Sequence, residues 1–511
     1  MVDSQLPLQR VGVRELAGLL EGWRGTPGSH QAAPGYAALA QRLRALILDG
    51  RLPLQTLLPS ERALADALAT SRTTTTAAYA MLRETGFADS HRGRGTWTTL
   101  PGSADTGPDA TAPWPVQHGD AISGTIPDLA TASFEAPPQL HAAYAAALDD
   151  LPRYLPGHGY ATAGLPALRT AIARRYTERG VTTRAEQILV TAGSTQALRL
   201  VFAALLSPGD RVVVEHPTWP LGVDAVRAGG GRPVAFAMED GWDAGRLAGL
   251  VRSSAPRLAY LVPDFHNPTG RLMDPATRRE VVEVLARNGC TVISDETTCD
   301  LDLRTLLRDE YRAAGDERAG RPVEPVLPLA TLAGPGEVIS LGSASKTFWG
   351  GLRIGWVRAD TALVRRLTQL RAAQDLAGPV VEQLTATHLL AGIDPWLPQR
   401  RAEVARRCSA LGSALARELP QWRFRLPDGG LSVWVRLPQP RSSQLVTAAR
   451  ALGLQLTPGS RFAADGGFET RIRLPFTRPV TELEAAVGIL SRAWSGGAAV
   501  PDPEAALDPV V

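Results

Sequence analysis

The chain has 511 residues and carries 54 arginines and lysines together, yet Lys346 is its only lysine. A primary amine can lose its proton and add to a carbonyl to form a Schiff base, whereas a guanidinium stays protonated and is a poor nucleophile. An arginine-biased chain must retain its last lysine somewhere, so chance is the alternative explanation. The neighbours argue against chance, because Lys346 lies in the polar and glycine-rich stretch SASKTFWGGLRIGW, residues 343–356.

Between about residues 190 and 300, polar motifs follow short β-branched runs, where strands are expected to end. Backbone N–H groups and hydroxyls at a helix start can bind a phosphate, and a carboxylate at the end of a parallel strand lies where ligands bind. Taken singly, each motif also fits an ordinary turn, helix cap or core aromatic. The candidates in chain order are Gly193, Ser194, Thr195, Trp219, Asn267 and Asp295.

The elements that must position these residues are predicted from alternating strand-like and helical patterns between about Ile126 and Trp494. Successive β-branched runs are separated by enough residues for a crossover helix, which predicts an α/β fold with a mostly parallel sheet covered on both faces. The predicted strands are Ile188–Thr191, Val212–Val214, Ala259–Val262, Val292–Ser294 and Val338–Leu341. Residues 304–328 are charged and contain proline, so we interpret them as a surface insertion.

A smaller unit is predicted nearer the N-terminus. Residues 36–48 have helical spacing, Ser60 can cap a second helix, and a turn at residues 70–71 leads into a third helix over Arg72–Glu84. The inward face of this third helix is predicted to contain Ala77, Met81 and Leu82. With a hairpin over residues 86–99, the pattern is helix, turn, helix and wing, which suits a helix end in the major groove of DNA. An ordinary small helical domain is the alternative.

This unit resembles the winged helix of GntR-type regulators. The matching stretches are Leu58–Arg62, Ser71–Thr74, Ala78–Leu82 and Gly93–Thr96, while Gln55 departs from the glycine common in that family. The resemblance implies that DNA is contacted by Ser60, Glu61, Arg62, Ser71, Arg72, Thr73 and Arg94. Glu61 could instead orient an arginine.

From about Ala130 to Trp494 the motifs together resemble the fold type I aminotransferases. This resemblance implies a pyridoxal 5′-phosphate cofactor, with Lys346 forming the Schiff base to it. Asp295 would pair with the pyridinium nitrogen and Asn267 would hydrogen-bond the ring oxygen. Trp219 would stack on the ring.

The same resemblance implies a phosphate site and a carboxylate site. The phosphate would be bound by Gly193, Ser194, Thr195, Ser343 and Arg353, of which the arginine offers a planar fork. Tyr160 matches a tyrosine that reaches the phosphate of the other subunit. Arg473 matches the arginine that binds a substrate carboxylate, and Arg471 is the alternative.

One departure from the family concerns the residues after Asp295. Relatives carry a tyrosine two or three residues later, where this chain has Thr297 and Thr298. The threonines keep a hydroxyl at these positions, but the phenol of the tyrosine is missing. The departure argues against full transaminase turnover more than against cofactor binding.

Composition and charge restrict the remaining possibilities. The net charge is +3, so any nucleic-acid site must be local, and 44% apolar with 21% charged residues is typical of a soluble globular protein. The three cysteines are odd in number and fit no metal spacing, which predicts buried or free thiols in a reducing compartment and no metal site. Because the chain shows no basic-then-apolar leader and no long apolar run, we expect a cytoplasmic protein that binds no membrane.

We predict five segments along the chain. They are residues 1–34 as an N-terminal helix (Val11–Trp23) and connector, 35–100 as the winged helix-turn-helix domain, 101–125 as a flexible linker, 126–494 as the aminotransferase-like domain, and 495–511 as a disordered tail.

Together the two halves resemble the MocR subfamily of GntR-type transcriptional regulators. This resemblance implies a homodimer on double-stranded operator DNA, whose large domain senses pyridoxal phosphate or a small amino compound that reacts with it. An active aminotransferase with an accessory DNA-binding domain is the second hypothesis, and a DNA-binding scaffold with a mere dimerisation module is the third. The joint presence of Lys346, Asp295, Asn267 and Arg353 argues against the third.

Overall fold

The computed structural model describes residues 9–20, 35–48, 51–91, 95–99, 127–238, 240–464 and 466–496. The chain divides between Ile126 and Pro127 into two units. Among the described helices, none is long and apolar enough to cross a membrane. The predicted linker at residues 101–125 lies outside the described residues.

The first unit combines helices with a four-stranded sheet. Its helices are α1 (Val13–Leu19), α2 (Gly35–Leu48), α3 (Glu61–Ala67) and α4 (Arg72–Glu84), and its strands are β1 (Gln9–Arg10), β2 (Thr56–Leu57), β3 (Ala88–His91) and β4 (Gly95–Thr98). The strand order is β1-β2-β4-β3, and the antiparallel pair β3 and β4 forms the wing hairpin. The helix predicted over Val11–Trp23 is α1, and its predicted last residues lie outside the described part of the chain.

The core of the first unit forms where α2, α3 and α4 each bury one apolar face. Helix α2 contributes Leu39 and Leu43, and α3 contributes Leu64. The buried residues of α4 are Thr75, Ala78, Tyr79 and Leu82, which recur at helical spacing. Of the three residues predicted to face inward, Leu82 is buried and Met81 packs against this core, whereas Ala77 lies beside the buried stripe and is only half-buried.

The second unit, from Pro127 onward, holds thirteen α-helices and eleven strands among its described residues. The helices are α5 (Gln139–Asp150), α6 (Pro166–Glu178), α7 (Ser194–Leu205), α8 (Pro220–Ala228), α9 (Ala244–Ser254), α10 (Pro275–Arg287), α11 (Arg308–Ala313), α12 (Ala344–Thr347), α13 (Thr361–Ala372), α14 (Val380–Ala391), α15 (Ile393–Glu418), α16 (Ser442–Ala451) and α17 (Val480–Gly496). The strands are β5 (Ile188–Thr191), β6 (Arg211–His216), β7 (Arg232–Ala237), β8 (Leu258–Leu261), β9 (Thr291–Asp295), β10 (Val338–Ser343), β11 (Gly355–Arg358), β12 (Arg423–Phe424), β13 (Ser432–Arg436), β14 (Thr457–Pro458) and β15 (Arg471–Pro475).

Seven strands form the main sheet, in the order β5-β11-β10-β9-β8-β6-β7. Strand β11 is antiparallel to both neighbours and the other six share one direction, so the predicted mostly parallel sheet is confirmed. Successive residues alternate between the two covered faces. Val212 and Val214 pack with α7 and α8, whereas Val213 packs with α9 and α10. The five predicted strands are present, while β7, an edge strand that contains Pro233, and the short β11 were missed.

A second, antiparallel sheet has the order β12-β13-β15-β14. Val433, Val435 and Ile472 pack with apolar residues of α15, α16 and α17. Since side chains alternate across a sheet, Trp434 and Arg473 lie on the opposite face. The alternation of apolar and polar residues in these short strands went unnoticed at the level of the sequence.

Two other sequence predictions need correction. The insertion at residues 304–328 is anchored rather than purely on the surface, because Tyr311 is buried and its hydroxyl donates to the carbonyl oxygen of Pro427 at 2.6 Å. Helix α17 runs to Gly496, so the first two residues of the predicted disordered tail are helical. The remainder of that tail lies outside the described residues.

Candidate functional site

The register of the main sheet brings several predicted site segments to one edge. Thr191, at the end of β5, lies opposite Gly355 in β11, which lies opposite Ser343 at the end of β10. Asp295, at the end of β9, lies opposite Leu341 in β10. Because the carboxyl ends of parallel strands share an edge, the loops that follow β5, β9 and β10 converge there.

Lys346 lies in α12, the short helix that follows β10. Its Nζ donates to the carbonyl oxygen of Ala132 at 2.7 Å. Burial lowers the pKa of the Lys346 amine to about 8, the positive charge of Arg473 acts in the same direction, and the negative charge of Asp295 opposes them. The amine is therefore far more available as a nucleophile than that of an exposed lysine, and it lies within the electrostatic influence of both Asp295 and Arg473.

Asp295 is buried at the end of β9 and accepts hydrogen bonds from two residues. Tyr260 donates its hydroxyl to Oδ2 at 2.7 Å, and the backbone N–H of Thr297 donates to Oδ1 at 3.0 Å. Burial raises the pKa of Asp295, and the hydrogen bonds from Tyr260 and Thr297 oppose that rise because they favour the carboxylate. A carboxylate held in this way can pair with a protonated ring nitrogen.

The turn between β5 and α7 has the form of a phosphate cradle. Gly193 has φ of 85°, a left-handed conformation that favours glycine, and a Cβ added there would lie 2.7 Å from Nη2 of Arg353. Arg353 itself has φ of 51°, is exposed, and donates to the carbonyl oxygen of Ala192 at 2.9 Å. Ser194 and Thr195 lie in the first turn of α7 with half-buried side chains, beside the unpaired N–H groups of the helix start.

Ser343 differs from the other predicted phosphate ligands. Its hydroxyl accepts from the N–H of Ser345 at 3.1 Å and donates to the carbonyl oxygen of Ile354 at 3.2 Å. It therefore caps α12 and ties that helix to the segment before β11. Its hydroxyl is already engaged by the backbone, although it lies at the same edge of the sheet.

Asn267 supplies a test of whether a ligand fits this site. Its Oδ1 is buried and has no hydrogen-bond partner among the described residues. A buried polar atom without a partner costs free energy, which a bound group with a complementary hydrogen bond recovers. Trp219 begins α8 just after β6 and has a half-buried side chain. The unpartnered Oδ1 of Asn267 therefore fits a bound ring, while stacking on Trp219 stays a prediction.

Arg473 lies on the face of the second sheet opposite its helices. Its Nη2 donates to the carbonyl oxygen of Ala130, and its Nε is buried with no partner among the described residues. Burial lowers the pKa of Arg473 to about 10, and the charge of Asp128 opposes the shift. Arg471 is only half-buried. Because Arg473 also acts on Lys346, it is the better candidate for a carboxylate ligand.

The threonines after Asp295 do not replace the missing phenol. Thr298 is buried and donates its hydroxyl to the carbonyl oxygen of Asp264 at 2.7 Å. The hydroxyl of Thr298 is therefore engaged by a backbone carbonyl, while the side chain of Thr297 hydrogen-bonds Asp295 and opposes the rise that burial causes in the pKa of its carboxyl. Tyr260, which sequence reasoning missed, brings a phenol to Asp295 instead, and the only signal was a tyrosine within an otherwise apolar predicted strand.

The predicted DNA-contacting residues lie in the first unit, at the starts of α3 and α4. Ser60 caps α3 by accepting from the N–H of Ala63 at 3.2 Å, and Ser71 caps α4 by accepting from the N–H of Thr74 at 3.1 Å. The exposed side chains at these two helix starts are Ser60, Arg62, Ser71, Arg72 and Thr73. Glu61 accepts from the hydroxyl of Thr76 at 2.6 Å and so links α3 to α4. Arg94 lies outside the described residues.

Comparison with known proteins gives relatives of two kinds. A 2-aminoadipate transaminase from Thermus thermophilus is 31% identical, over 63% of this chain and 76% of its own length. The probable rhizopine catabolism regulatory protein MocR from Rhizobium meliloti is 29% identical, over 84% of this chain and 87% of its own length. The structure of LysN, an α-aminoadipate aminotransferase from Thermus thermophilus complexed with N-(5′-phosphopyridoxyl)-L-leucine, superposes with a TM-score of 0.62 at 28% identity, covering 75% of this chain and 95% of that chain.

The fold and the site define a pyridoxal-phosphate-dependent, aminotransferase-like unit in the same chain as a winged helix-turn-helix. The chain belongs to the aminotransferase class I and II family, whose profile matches residues 129–490. The profile of the bacterial regulatory proteins of the gntR family matches residues 35–97. This fused architecture is that of MocR and other HTH-type regulators, and it confirms the fold predicted from the sequence.

Proposed function

We propose that this protein binds operator DNA through its first unit and senses pyridoxal phosphate, or an amino compound that reacts with it, through Lys346. One observation carries the proposal. The only lysine of the chain has a lowered pKa under the influence of Asp295 and Arg473, in a protein that also exposes Arg62 and Arg72 at two helix starts. The first feature suits carbonyl chemistry, and the second suits contact with DNA.

Each residue of the site has a separate task in this proposal. Pyridoxal phosphate, when bound, supplies a carbonyl carbon for an amine and a ring that accepts electrons. Lys346 would attach to that carbonyl, Asp295 would pair with the ring nitrogen, and the amide of Asn267 would contact the ring oxygen. The phosphate would be bound by Gly193, Ser194, Thr195 and Arg353, while Ser343 would keep the helix of Lys346 in place.

The effector is proposed to carry a carboxylate as well as an amine. Arg473 has a buried donor, Nε, without a partner among the described residues, and it offers a planar fork that matches a carboxylate. Its charge acts on Lys346, where an incoming amine would exchange. An amino acid or a related amino carboxylate satisfies both requirements.

A homodimer is part of the proposal. Large apolar side chains rarely remain exposed together without a partner. Leu148 near the end of α5, and Leu155 and Tyr160 beyond that helix, are 56%, 67% and 59% exposed. A second subunit would cover them, bring Tyr160 to the neighbouring phosphate, and present two winged helices to two half-sites on DNA in the cytoplasm.

The test is the affinity of the protein for the DNA upstream of its own gene, measured by fluorescence anisotropy at fixed salt with and without pyridoxal phosphate. We expect the cofactor to change the affinity of the wild type and to leave that of Lys346→Arg unchanged. The same titration is then repeated with amino acids added to the cofactor-loaded protein. DNA affinity indifferent to cofactor and amino acid alike would refute the proposed sensor.

Aminotransferase activity is the second candidate, and the 31% identity to a 2-aminoadipate transaminase favours it. The missing phenol after Asp295 argues against aminotransferase turnover, and Thr298 does not substitute for it because its hydroxyl is engaged by the carbonyl oxygen of Asp264. Incubation of the loaded protein with an amino acid and 2-oxoglutarate, with glutamate measured as product, distinguishes the two. Sustained formation of glutamate over many turnovers would establish the enzyme, whereas a single turnover would support the sensor.

A further inference from the structure

Tyr260 has no role in the functions described so far, yet it touches the residue expected to hold the ring nitrogen. It lies in the interior strand β8, next to β9, and its side chain is fully buried. Its hydroxyl donates to Oδ2 of Asp295 in the neighbouring strand at 2.7 Å. A tyrosine with its hydroxyl this deep in a protein needs a partner, and here the partner is a carboxylate at the cofactor site.

The surroundings of the Tyr260 ring are built to accept it. Gly222 of α8 lies against the ring, and a Cβ at that position would approach Cε1 of Tyr260 to 2.6 Å. Only glycine leaves room for the ring between α8 and the sheet. Helix α8 also carries Trp219 at its start, so the Tyr260 ring lies between the element that presents Trp219 and the strand that presents Asp295.

Asp295 depends on this contact because few residues donate to it. Among the described residues, its hydrogen bonds come from the hydroxyl of Tyr260 on Oδ2 and from Thr297 on the other side of the carboxylate. The charge of Glu215, which is also buried, disfavours ionisation of Asp295. Losing the Tyr260 hydroxyl would leave a buried carboxylate free to rotate or to take up a proton, and either change removes its fit to a protonated ring nitrogen.

We infer that Tyr260 is a positioning residue for the cofactor site: its hydroxyl fixes the carboxylate of Asp295 in the orientation and charge state that a pyridinium nitrogen requires. The inference rests on the proposed function, because it takes pyridoxal phosphate as the ligand of Asp295. In this chain the phenol of Tyr260 acts on the carboxylate of Asp295, whereas relatives carry a tyrosine whose phenol contacts the ring oxygen.

The test compares Tyr260→Phe with Tyr311→Phe as a matched control. Tyr311 is also fully buried and also loses one hydrogen bond, to the carbonyl oxygen of Pro427, but it lies in the insertion and not at the site. Affinity for pyridoxal phosphate is measured by titration of the full chain, together with the absorption maximum of the bound cofactor and the melting temperature without cofactor.

We expect Tyr260→Phe to weaken pyridoxal phosphate binding about tenfold and to shift the absorption maximum, since hydrogen bonds to charged groups are among the stronger ones. Tyr311→Phe should bind like the wild type with the same spectrum. Melting temperatures without cofactor should fall by similar amounts in both variants, because both lose one buried hydrogen bond.

A double-mutant cycle with Asp295→Asn supplies the second reading. If Tyr260 acts through Asp295, Tyr260→Phe should weaken binding no further in the Asp295→Asn background. Wild-type affinity and spectrum in Tyr260→Phe, or additive losses in the cycle, would overturn the inference. Failure of the wild type to take up pyridoxal phosphate would instead overturn the proposed function, so the two failures are distinct.

Discussion

Attachment of pyridoxal phosphate to Lys346 should depend on pH in a way that the buried environment of this amine dictates. The Lys346 amine has a pKa of about 8. At pH 7 about one tenth of it is neutral, against about 0.03% of an ordinary lysine, so the reactive fraction is roughly 300-fold larger. Lower basicity also reduces nucleophilicity, and a Brønsted slope of about 0.5, as for thiols, leaves a net gain of roughly 20-fold.

The direction of the pH dependence follows from the same shift. A protonated ammonium cannot attack a carbonyl, so attachment to the cofactor-free protein should accelerate from about pH 6.5 upward and reach half its maximal rate near pH 8. Stopped-flow absorbance with excess pyridoxal phosphate measures this rate. Nα-acetyl-lysine serves as the unperturbed reference, and Lys346→Arg, which has no side-chain amine, reports attachment to the α-amino group.

A substitution at Arg473 tests the physical cause. Burial is the largest contribution to the shift and the charge of Arg473 is the next. Arg473→Gln should therefore move the midpoint to higher pH and slow attachment at pH 7, whereas Arg461→Gln, which removes an arginine paired with Asp224, should do neither. A wild-type rate that rises without inflection to pH 10, or a midpoint indifferent to Arg473→Gln, would refute the reasoning.

Three further predictions concern the two binding surfaces. Gly193→Ala should lower stability by about 1–2 kcal/mol, because its backbone is left-handed, and should weaken pyridoxal phosphate binding, because the new Cβ displaces Arg353. Urea unfolding and cofactor titration measure the two effects. Gly209→Ala, at a left-handed turn with open space around it, should show only the loss of stability. Arg72→Ala should weaken binding to operator DNA about tenfold in fluorescence anisotropy, and Arg83→Ala in the last turn of the same helix should not; equal affinities would exclude Arg72 from the interface. Ser71→Ala should lower the stability of α4 by about 1 kcal/mol, seen as faster hydrogen exchange of the first amides of the helix. Ser71→Asp should preserve the stability of α4, because aspartate also caps a helix. Unchanged exchange in Ser71→Ala would show that the cap contributes little.

Much of this architecture was accessible from the sequence because its signals are local. Runs of β-branched residues predicted five strands of the main sheet, and the spacing between them predicted parallel connections, which the strand order confirms. Ser60 identified the start of α3 because a capping hydroxyl acts within three residues of itself, and the structure shows that Ser71 caps α4 in the same way. The inward face of α4 was predicted only in part, because Ala77 is apolar enough to suggest burial while the buried Thr75 is not.

The lone lysine, the order of the polar motifs and the two family resemblances were determined by the sequence itself, since each depends on residues that are close together in the chain or on their order along it. Only the tertiary structure decided which of these residues act on one another. Asp295 at the carboxyl edge of the main sheet and Arg473 in the second sheet both act electrostatically on Lys346, and Tyr260 donates to Asp295 from a position 35 residues earlier in the chain. Such pairings arise from the register of strands and the burial of charges, and these depend on how distant segments pack and not on any local pattern.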